Sequence, residues 1–316
     1  MDRYVVTGGA GFIGSHIAER LLREGNEVAV LDDLSTGRSE NLDTLRALRL
    51  PGRLDWIKGD VRSTDDCRRA CKGASVVFHQ AALASVQRSI ETPALTTDVN
   101  LVGTVRVLEA AKEQGVRRVV SASSSSVYGN SPTLPKHEAM PTLPLSPYAA
   151  SKLGVEQFAR VWSESLGLET VCLRYFNVFG PRQDPNSQYS AVIPLFISAL
   201  LKGKRPTIYG TGEQSRDFTY IDNVVDANLK AARCPNPGGA AVNVACGDRF
   251  SLLELLEALG AALGVKPNPD FQPPRVGDVL HSQASIEEAK RILGFSPAVG
   301  FEEGIRKTVE YFRRAP

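Results

Sequence analysis

The chain has 316 residues, of which 42% are hydrophobic, and its 37 Lys and Arg residues nearly balance 35 Asp and Glu residues, for a net charge of +2. This length exceeds that of a usual single hydrophobic core, so we expect one large domain or two coupled domains. The near-neutral balance gives no global field that would attract nucleic acid or an anionic membrane. No apolar run approaches the roughly 20 residues of a membrane-spanning helix.

The N-terminal residues predict a strand, a tight glycine turn and a helix. An apolar run precedes the sequence TGGAGFIG at residues 7–14, and apolar residues at helical spacing follow it. A side chain at Gly8 or Gly11 would block close approach of a pyrophosphate to the backbone, and one at Gly14 would keep the helix away from the strand. The N–H groups of the first helical turn would then face the anion. We therefore expect a phosphate site, with an ordinary glycine-rich turn as the alternative.

A second predicted strand, Glu27 to Asp32, ends in a carboxylate. Asp32 lies roughly 20 residues beyond the glycine turn, where an adenosine ribose would sit. A carboxylate there can accept hydrogen bonds from both ribose hydroxyls and would repel a 2′-phosphate, which predicts NAD rather than NADP. Arg38 is close enough in sequence to leave that preference open, and a turn or cap role for Asp32 is the alternative.

Further apolar runs predict strands at 54–57, 75–79 and 117–122, separated by helical segments. This alternation of strands and helices predicts an α/β fold with a Rossmann-type, doubly wound parallel sheet. Asp60, after the third strand, could reach the adenine edge of a bound nucleotide. Small residues after the fourth strand, at 80–83, would let a cofactor lie against the backbone.

A serine run and a Tyr-Lys pair follow the fifth predicted strand. Residues 123–126 are all serine and place hydroxyls at the carboxyl end of the strand, the edge where ligands bind in such sheets. Tyr148 and Lys152 follow a proline-rich loop and would share one face of a helix. A nearby ammonium stabilises phenolate, so we expect it to lower the pKa of Tyr148 from about 10. Such a phenol can take and return a proton near neutral pH; an unrelated surface pair is the alternative.

The cysteines and histidines form no recognisable framework. Five cysteines scattered over a long chain predict free thiols. Cys67 and Cys71 share a predicted helix without a third ligand nearby, and the dispersed histidines show no metal spacing, so we expect no metal. The first strand begins almost at the N-terminus, which leaves no room for a signal peptide and favours a cytoplasmic protein.

Taken together, the glycine turn, the serine run and the Tyr148–Lys152 pair resemble the extended short-chain dehydrogenase/reductase superfamily, over essentially the whole chain. Within it, LRYFNVFGPRQDP at 173–185 and GEQSRDFTYID at 212–222 are similar to the nucleotide-sugar branch, as is RVGD at 275–278. These signatures most resemble the UDP-hexose 4-epimerases, particularly those that act on UDP-N-acetylglucosamine (UDP-GlcNAc).

The resemblance implies roles for three groups of residues. Ser124 would bond the sugar O4, Tyr148 would be the acid and base, and Lys152 would bind the nicotinamide ribose and tune Tyr148. The implied NAD-binding residues are Gly8, Gly11, Phe12, Ile13, Gly14, Asp32, Asp60, Val61, Gln80, Ala81, Ala82, Asn100, Tyr148, Lys152 and Tyr175. The implied UDP-sugar-binding residues are Ala84, Ser85, Ser124, Ser125, Ser126, Asn177, Val192, Tyr209, Arg216, Arg275, Asp278 and Ser282.

The implied reaction is C4 epimerisation, in which Tyr148 and NAD remove a proton and a hydride and return both to a transient 4-keto sugar after it has turned over. Related dehydratases and decarboxylases need an added carboxylate. The positions after Ser124 are Ser125 and Ser126, which carry none, so both reactions are disfavoured. Ser282 matches a gatekeeper position where a small residue admits an N-acetyl group, which implies UDP-GlcNAc/UDP-GalNAc and also UDP-Glc/UDP-Gal. A UDP-glucuronate 4-epimerase is an alternative, as is, in another class, a non-catalytic NAD-binding scaffold.

The resemblance also implies how the chain is divided. Residues 1–176 and 217–245 would form the NAD-binding Rossmann domain, and residues 177–216 and 246–316 a smaller mixed α/β domain that binds the UDP-sugar in the cleft. A Ser-capped amphipathic helix is predicted at 252–263. The implied partners are a UDP-sugar and a second copy in a homodimer, with no nucleic acid and no membrane.

Overall fold

A computed structural model describes residues 2–185, 191–274 and 280–314. The strands in chain order are β1 Arg3–Thr7, β2 Glu27–Asp32, β3 Arg53–Lys58, β4 Val76–His79, β5 Arg118–Ser124, β6 Glu169–Tyr175, β7 Val178–Phe179, β8 Thr207–Tyr209, β9 Ser215–Arg216, β10 Thr219–Tyr220, β11 Ala241–Val244, β12 Phe250–Ser251 and β13 Asp270–Gln272. The helices are α1 Phe12–Arg23, α2 Ser39–Ala47, α3 Thr64–Cys71, α4 Val86–Glu91, α5 Pro93–Thr97, α6 Gly103–Glu113, α7 Pro147–Ser165, α8 Val192–Leu201, α9 Ile221–Arg233, α10 Leu252–Leu263, α11 Glu287–Leu293 and α12 Phe301–Arg314.

The centre of the fold is a seven-stranded sheet in the order β11-β6-β5-β4-β1-β2-β3. All six neighbouring pairs are parallel. All four residues of β4 are buried, as expected of a strand that helices cover on both faces. The chain leaves β1 toward β2 on one side and later returns to β4 on the other, so the strand order reverses there, and a crevice opens beyond the carboxyl ends of β1 and β4. The predicted Rossmann-type, doubly wound parallel sheet is confirmed.

Several predicted elements have slightly different bounds in the structure. The strands predicted at 54–57 and 75–79 are Arg53–Lys58 and Val76–His79. The first helix begins at Phe12, inside the glycine stretch at 7–14, with Gly11 at the N-cap position and Gly14 in the first turn. The fifth strand extends to Ser124, and a 3-10 turn follows at Ser125–Tyr128. The helix predicted at 252–263 has those bounds and begins with a Ser251–Glu254 capping box.

The remaining strands form three short pairs beyond the carboxyl end of β6. They are β7 with β10 and β8 with β13, both parallel, and β9 with β12, antiparallel. Helices α8, α10 and α12 pack together beside these pairs. Backbone hydrogen bonds from Ser215 to Leu280 and from Ser282 to Ser215 fix residues 280–282 next to β9. In the described ranges, no helix has the length and apolar character needed to cross a lipid bilayer.

Candidate active site

The glycine turn brings β1, α1 and the end of β4 into direct contact. Gly8 has a φ of 68°, and a Cβ built there would lie 2.7 Å from the Ala81 nitrogen. A Cβ at Gly14 would overlap the Gly8 carbonyl oxygen. Gly11 caps α1 without a side chain, so the N–H groups of the first turn are left for a ligand. The helix N-terminus therefore offers a site for an anion.

A cavity of about 260 Å³ begins at this turn and follows the carboxyl ends of the central strands as far as Tyr148 and Lys152. We call it the switch-point cavity. Asp32 lines it, and its carboxylate accepts hydrogen bonds from the Ala10 N–H (2.9 Å) and the Leu34 N–H (2.8 Å). Burial raises the pKa of this carboxyl group. An uncapped helix end with an oriented carboxylate beyond it fits a dinucleotide whose ribose lies at Asp32.

Asp60 also lines the switch-point cavity, but its carboxylate is already engaged. The Arg62 side chain donates to both Asp60 oxygens, at distances of 2.6 to 3.1 Å. These hydrogen bonds lower the pKa of Asp60. If Asp60 contacted an adenine edge, its carboxylate would therefore bond to both the adenine and Arg62.

The other end of the switch-point cavity is formed by the first turns of α7. The Ser146 hydroxyl caps this helix by accepting the Ala149 N–H (3.1 Å). Tyr148 lies in the first turn, and Lys152 is one turn further on. Lys152 is 5% exposed, and its ammonium donates to the Ala122 carbonyl oxygen of β5 (2.8 Å). Burial lowers the pKa of Lys152 to about 8. This bond fixes the start of α7 against the end of β5.

The expected lowering of the Tyr148 pKa is wrong for this structure. Burial raises the pKa of Tyr148, and the neighbouring Ser124 hydroxyl opposes that shift without reversing it. Lys152 directs its ammonium to a backbone carbonyl instead. The phenol is therefore protonated in the ground state at neutral pH.

Ser124 ends β5 and lies between two cavities. Its hydroxyl accepts the Ser126 N–H (3.2 Å) and the Ser126 hydroxyl (2.9 Å), which caps the 3-10 turn. Ser123 on one side lines the switch-point cavity, whereas Ser125 and Ser126 on the other side line a second cavity of about 300 Å³. We call the latter the serine cavity. Ser282 also lines it.

A third cavity of about 540 Å³, the outer cavity, lies among α8, β8 and β9 and is lined by Val192 and Tyr209. Asn177 and Arg216 line both the outer cavity and the serine cavity, so they mark the point where the two adjoin. Asn177 has a φ of 30°, a region that residues other than glycine rarely occupy. Its amide donates to the Asp217 carbonyl oxygen (3.1 Å), which holds the strained residue in place.

Most of the predicted site residues line one of these cavities. Those at the switch-point cavity are Gly8, Gly11, Phe12, Ile13, Gly14, Asp32, Asp60, Val61, Gln80, Ala81, Ala82, Ala84, Tyr148, Lys152 and Tyr175. Among them, Ala84 was expected at the substrate instead. Ser85 caps α4 by accepting the Arg88 N–H (3.1 Å). Arg275 and Asp278 lie outside the described residues.

Asn100 lies behind the switch-point cavity, in a π-helical turn, Asp98–Val102, between α5 and α6. Its amide oxygen accepts the Leu83 N–H (2.8 Å), and its amide nitrogen donates to the Leu83 carbonyl oxygen (3.3 Å) and the Ser151 hydroxyl (3.1 Å). Asn100 therefore joins the loop after β4 to α7.

Sequence reasoning missed several residues that line the cavities. The loop at 33–37 wraps Asp32, and a Cβ at Gly37 would lie 2.8 Å from an Asp32 oxygen. Lys136, only 3% exposed, lines the serine cavity and donates to the Ser131 carbonyl oxygen. Burial lowers the pKa of Lys136. In the sequence, the one available signal for Lys136 was its place in a proline-rich loop.

Over the described ranges, no His, Cys, Asp and Glu side chains form a group of three or more suited to a metal ion.

A Rossmann-type sheet whose crevice runs from a glycine turn to a Tyr-Lys pair defines a short-chain dehydrogenase/reductase. The family model described as "NAD dependent epimerase/dehydratase family" matches residues 4–245. The chain therefore belongs to the NAD-dependent epimerase/dehydratase family.

Relatives of known name are similar to this chain over nearly its full length. A UDP-glucose 4-epimerase of Mycolicibacterium smegmatis is 42% identical, with 98% of each chain covered. A UDP-glucuronate 4-epimerase of Thermodesulfobacterium geofontis is 34% identical, covering 98% of this chain and 96% of the relative.

Solved structures agree with these relatives. The UDP-GlcNAc 4-epimerase of Methanobrevibacter ruminantium, in complex with UDP-N-acetylmuramic acid, has a TM-score of 0.92 at 41% identity, covering 99% of this chain and 98% of that chain. The Thermus thermophilus UDP-glucose 4-epimerase in complex with NAD has a TM-score of 0.89 at 40% identity, covering 99% of this chain and 100% of that chain. The predicted family, the isomerase class of the UDP-hexose 4-epimerases and NAD as cofactor are confirmed.

Proposed function

We propose that the protein interconverts the C4 epimers of a UDP-hexose, with UDP-GlcNAc/UDP-GalNAc as the preferred pair and UDP-Glc/UDP-Gal as a second pair. One observation carries this proposal: Tyr148, the proposed acid and base, lies where the switch-point cavity meets the serine cavity. Tyr148 lines the first cavity, whereas Ser146 and Ala149, on either side of it, line the second. A sugar in the serine cavity would therefore present its C4 hydroxyl to Tyr148.

Tyr148 and Ser124 would handle the proton of the C4 hydroxyl. NAD, when bound, supplies a hydride acceptor and donor together with a positively charged ring. Tyr148, a phenol in the free protein, would first release its own proton to solvent, and the Lys152 ammonium would favour the resulting phenolate. The Ser124 hydroxyl would bond the sugar O4 while this phenolate takes the C4 hydroxyl proton, and the phenol so formed would return that proton to the opposite epimer. Neither the proton nor the hydride is lost, so the reaction has no net redox change.

The nucleotide would be held more firmly than the sugar. Arg216 and Asn177 lie between the outer and serine cavities, which suits a diphosphate that joins a uridine in the former to a hexose in the latter. A guanidinium offers paired donors and a permanent charge to phosphate. Binding energy that is concentrated on UDP leaves the 4-keto sugar free to present its other face.

The walls of the serine cavity support an N-acetyl sugar. Ser282 is small and nearly buried there, and the apolar side chains of Val86 and Leu145 line the same cavity. The cavity thus offers hydroxyl groups to an amide and an apolar surface to its methyl group. A bulky residue at 282 would fill this space.

A second candidate function is 4-epimerisation of UDP-glucuronate, and Lys136 is the observation that favours it. Its buried ammonium lines the serine cavity, and within the described part of the chain no carboxylate forms an ion pair with it. A sugar carboxylate would supply the missing charge. A Lys136→Met variant should lose turnover of UDP-glucuronate and keep that of UDP-GlcNAc if the wild-type enzyme uses both.

The direct test is to incubate the NAD-loaded protein separately with UDP-GlcNAc, UDP-Glc and UDP-glucuronate and to quantify both epimers by chromatography. We expect conversion of UDP-GlcNAc to be fastest and Tyr148→Phe to be inactive. Fastest conversion of UDP-glucuronate would establish the second candidate. No conversion of any sugar by protein that retains NAD would favour the non-catalytic scaffold.

The proposal includes the division of the chain and its assembly. Residues 1–176 and 217–245 would bind NAD, and residues 177–216 and 246–316 would bind the UDP-sugar.

Helices α5 and α7 are in contact and expose Leu95, Phe158 and Val161, which supports a homodimer through this face. Val161→Glu should then yield monomers in light scattering, and an unchanged mass would argue against this interface. The cytoplasmic location stays a prediction.

A further inference from the structure

A buried ion pair connects α7 to the central sheet behind the catalytic residues. The Arg174 guanidinium of β6 donates to both carboxylate oxygens of Glu156 on α7, at 2.8 and 2.7 Å. The two side chains are only 6% and 4% exposed. Two charges removed from water in this way need additional hydrogen bonds to offset their lost hydration.

Those additional bonds go to the two ends of the turn that carries Ser124. The Ser123 hydroxyl, just before Ser124, donates to Glu156. The Tyr128 hydroxyl, at the end of the 3-10 turn, accepts a bond from Arg174 (2.7 Å) and donates to the Asn243 amide oxygen (2.7 Å). The Arg174 guanidinium also lies 4.8 Å from the centre of the Tyr128 ring. The ion pair therefore contacts the serine turn on both sides.

The same ion pair belongs to the helix that carries the acid and base. Tyr148, Lys152 and Glu156 recur every four residues on α7 and so share one face of it. Lys152 is bonded to the Ala122 carbonyl oxygen, and Glu156 to Ser123 in the same strand. Two successive turns of α7 are thus attached to successive residues of β5.

We propose that Glu156 and Arg174 are positioning residues that set the distance between the Ser124 hydroxyl and the Tyr148 phenol. They touch neither substrate nor cofactor in this proposal, which rests on the proposed epimerase function. A displacement of about 1 Å in a reacting group can cost about a hundredfold in rate. Loosening the serine turn should therefore lower kcat, whereas UDP binding, at Asn177 and Arg216, should be unchanged.

The test uses a variant that spares the ion pair, since replacing Glu156 would leave a buried charge without its partner. Ser123→Ala removes one hydrogen bond to Glu156 and leaves both Arg174–Glu156 bonds in place. The matched control is Thr170→Val, because the Thr170 hydroxyl donates to the Ala159 carbonyl oxygen (2.6 Å). That bond joins α7 to the start of β6, one helical turn beyond Glu156 and away from the serine turn.

We expect both variants to lose a similar amount of thermal stability, measured on the NAD-loaded protein. Only Ser123→Ala should lower kcat for UDP-GlcNAc, by about tenfold, with KM within twofold of the wild-type value. Tyr128→Phe should likewise lower kcat and leave KM nearly unchanged. Equal kcat values for Ser123→Ala and Thr170→Val, or a change in KM alone, would overturn the positioning role.

Amide hydrogen exchange supplies a readout that does not depend on turnover. Ser123→Ala should speed exchange in the 124–128 turn at least tenfold, and Thr170→Val should leave that turn unchanged. If the wild-type protein converted no UDP-hexose, the proposed function would fail. Unchanged exchange in Ser123→Ala would instead overturn the inference about Glu156 and Arg174.

Discussion

The switch-point cavity and the two cavities proposed to hold the substrate are built in different ways. The switch-point cavity lies along the ends of neighbouring parallel strands, and much of its wall is backbone and small residues, from Gly8 to Ala82. The outer and serine cavities are assembled from loops, two- or three-residue strands and parts of several helices, including α8, which span from Val86 to Ser282. A cofactor that is bound through backbone groups needs only one local sequence motif. A substrate that varies between relatives is bound by side chains that come from segments far apart in the sequence.

Tyr148→Phe should have the largest effect, because it removes the proton carrier at the boundary between the two kinds of cavity. We expect kcat to fall by about 10²–10⁴-fold, the usual contribution of general acid–base catalysis. NAD content, measured by mass spectrometry after denaturation, should equal that of the wild-type protein. Loss of NAD from this variant would mean that Tyr148 acts mainly in cofactor binding.

Arg216→Met tests whether the substrate cavities hold the nucleotide through charge. Loss of charge-assisted hydrogen bonds to phosphate should weaken UDP binding by about 10–100-fold in calorimetry. Arg205→Met is the matched control, because Arg205 also lines the outer cavity and, like Arg216, donates to backbone carbonyl oxygens, those of Asn268 and Pro269 (3.2 and 2.7 Å), but it does not line the serine cavity. Equal losses in the two variants would argue against a phosphate contact at Arg216.

Ser282→Tyr tests the serine cavity alone. Filling this nearly buried position should lower kcat/KM for UDP-GlcNAc by roughly 10–100-fold, in line with overpacking costs of about 1–3 kcal/mol. Turnover of UDP-Glc should persist, and Ser282→Ala should behave as wild type with both sugars. Intact turnover of the acetylated pair by Ser282→Tyr would show that Ser282 does not control access.

The last effect expected is that of pH, at the end of the switch-point cavity. Burial lowers the pKa of Lys152 from 10.5 to about 8. Between these values the folded protein binds fewer protons than the unfolded chain, so the contribution of Lys152 to the free energy of unfolding rises with pH, by at most about 3 kcal/mol. Over the same range kcat should fall, because the ammonium that favours phenolate is lost.

To check that stability rises while kcat falls, denaturant unfolding and kcat should each be measured from about pH 7 to about pH 10.5. Lys152→Met, which keeps the length of the side chain without its charge, should remove the rise in stability. A wild-type kcat that stays constant across this range would contradict the need for the ammonium.

The comparison between cavities also explains how far sequence reasoning reached. The glycine turn and Asp32 were found because one short βαβ unit contains both, and the sheet followed from the alternation of strands and helices. Lys136 was missed, since its place in the serine cavity depends on a loop that bonds to residues 283–285. The pKa of Tyr148 was misjudged because spacing on a helix reveals neither burial nor the Ala122 carbonyl oxygen that Lys152 contacts.

The π-helical turn at Asp98–Val102 also limits where the chain can lose a single residue. α5, this turn and α6 form one continuous helix, and the wider turn contains an extra residue relative to α-helical geometry. Deleting one residue there would restore a regular α-helix and keep α5 and α6 in nearly the same phase, but it would remove the wide turn that carries Asn100. The bonds of Asn100 to Leu83 and Ser151 would then be lost or distorted. Single-residue deletions should therefore be tolerated less well at this turn than in the solvent-facing loops of the fold.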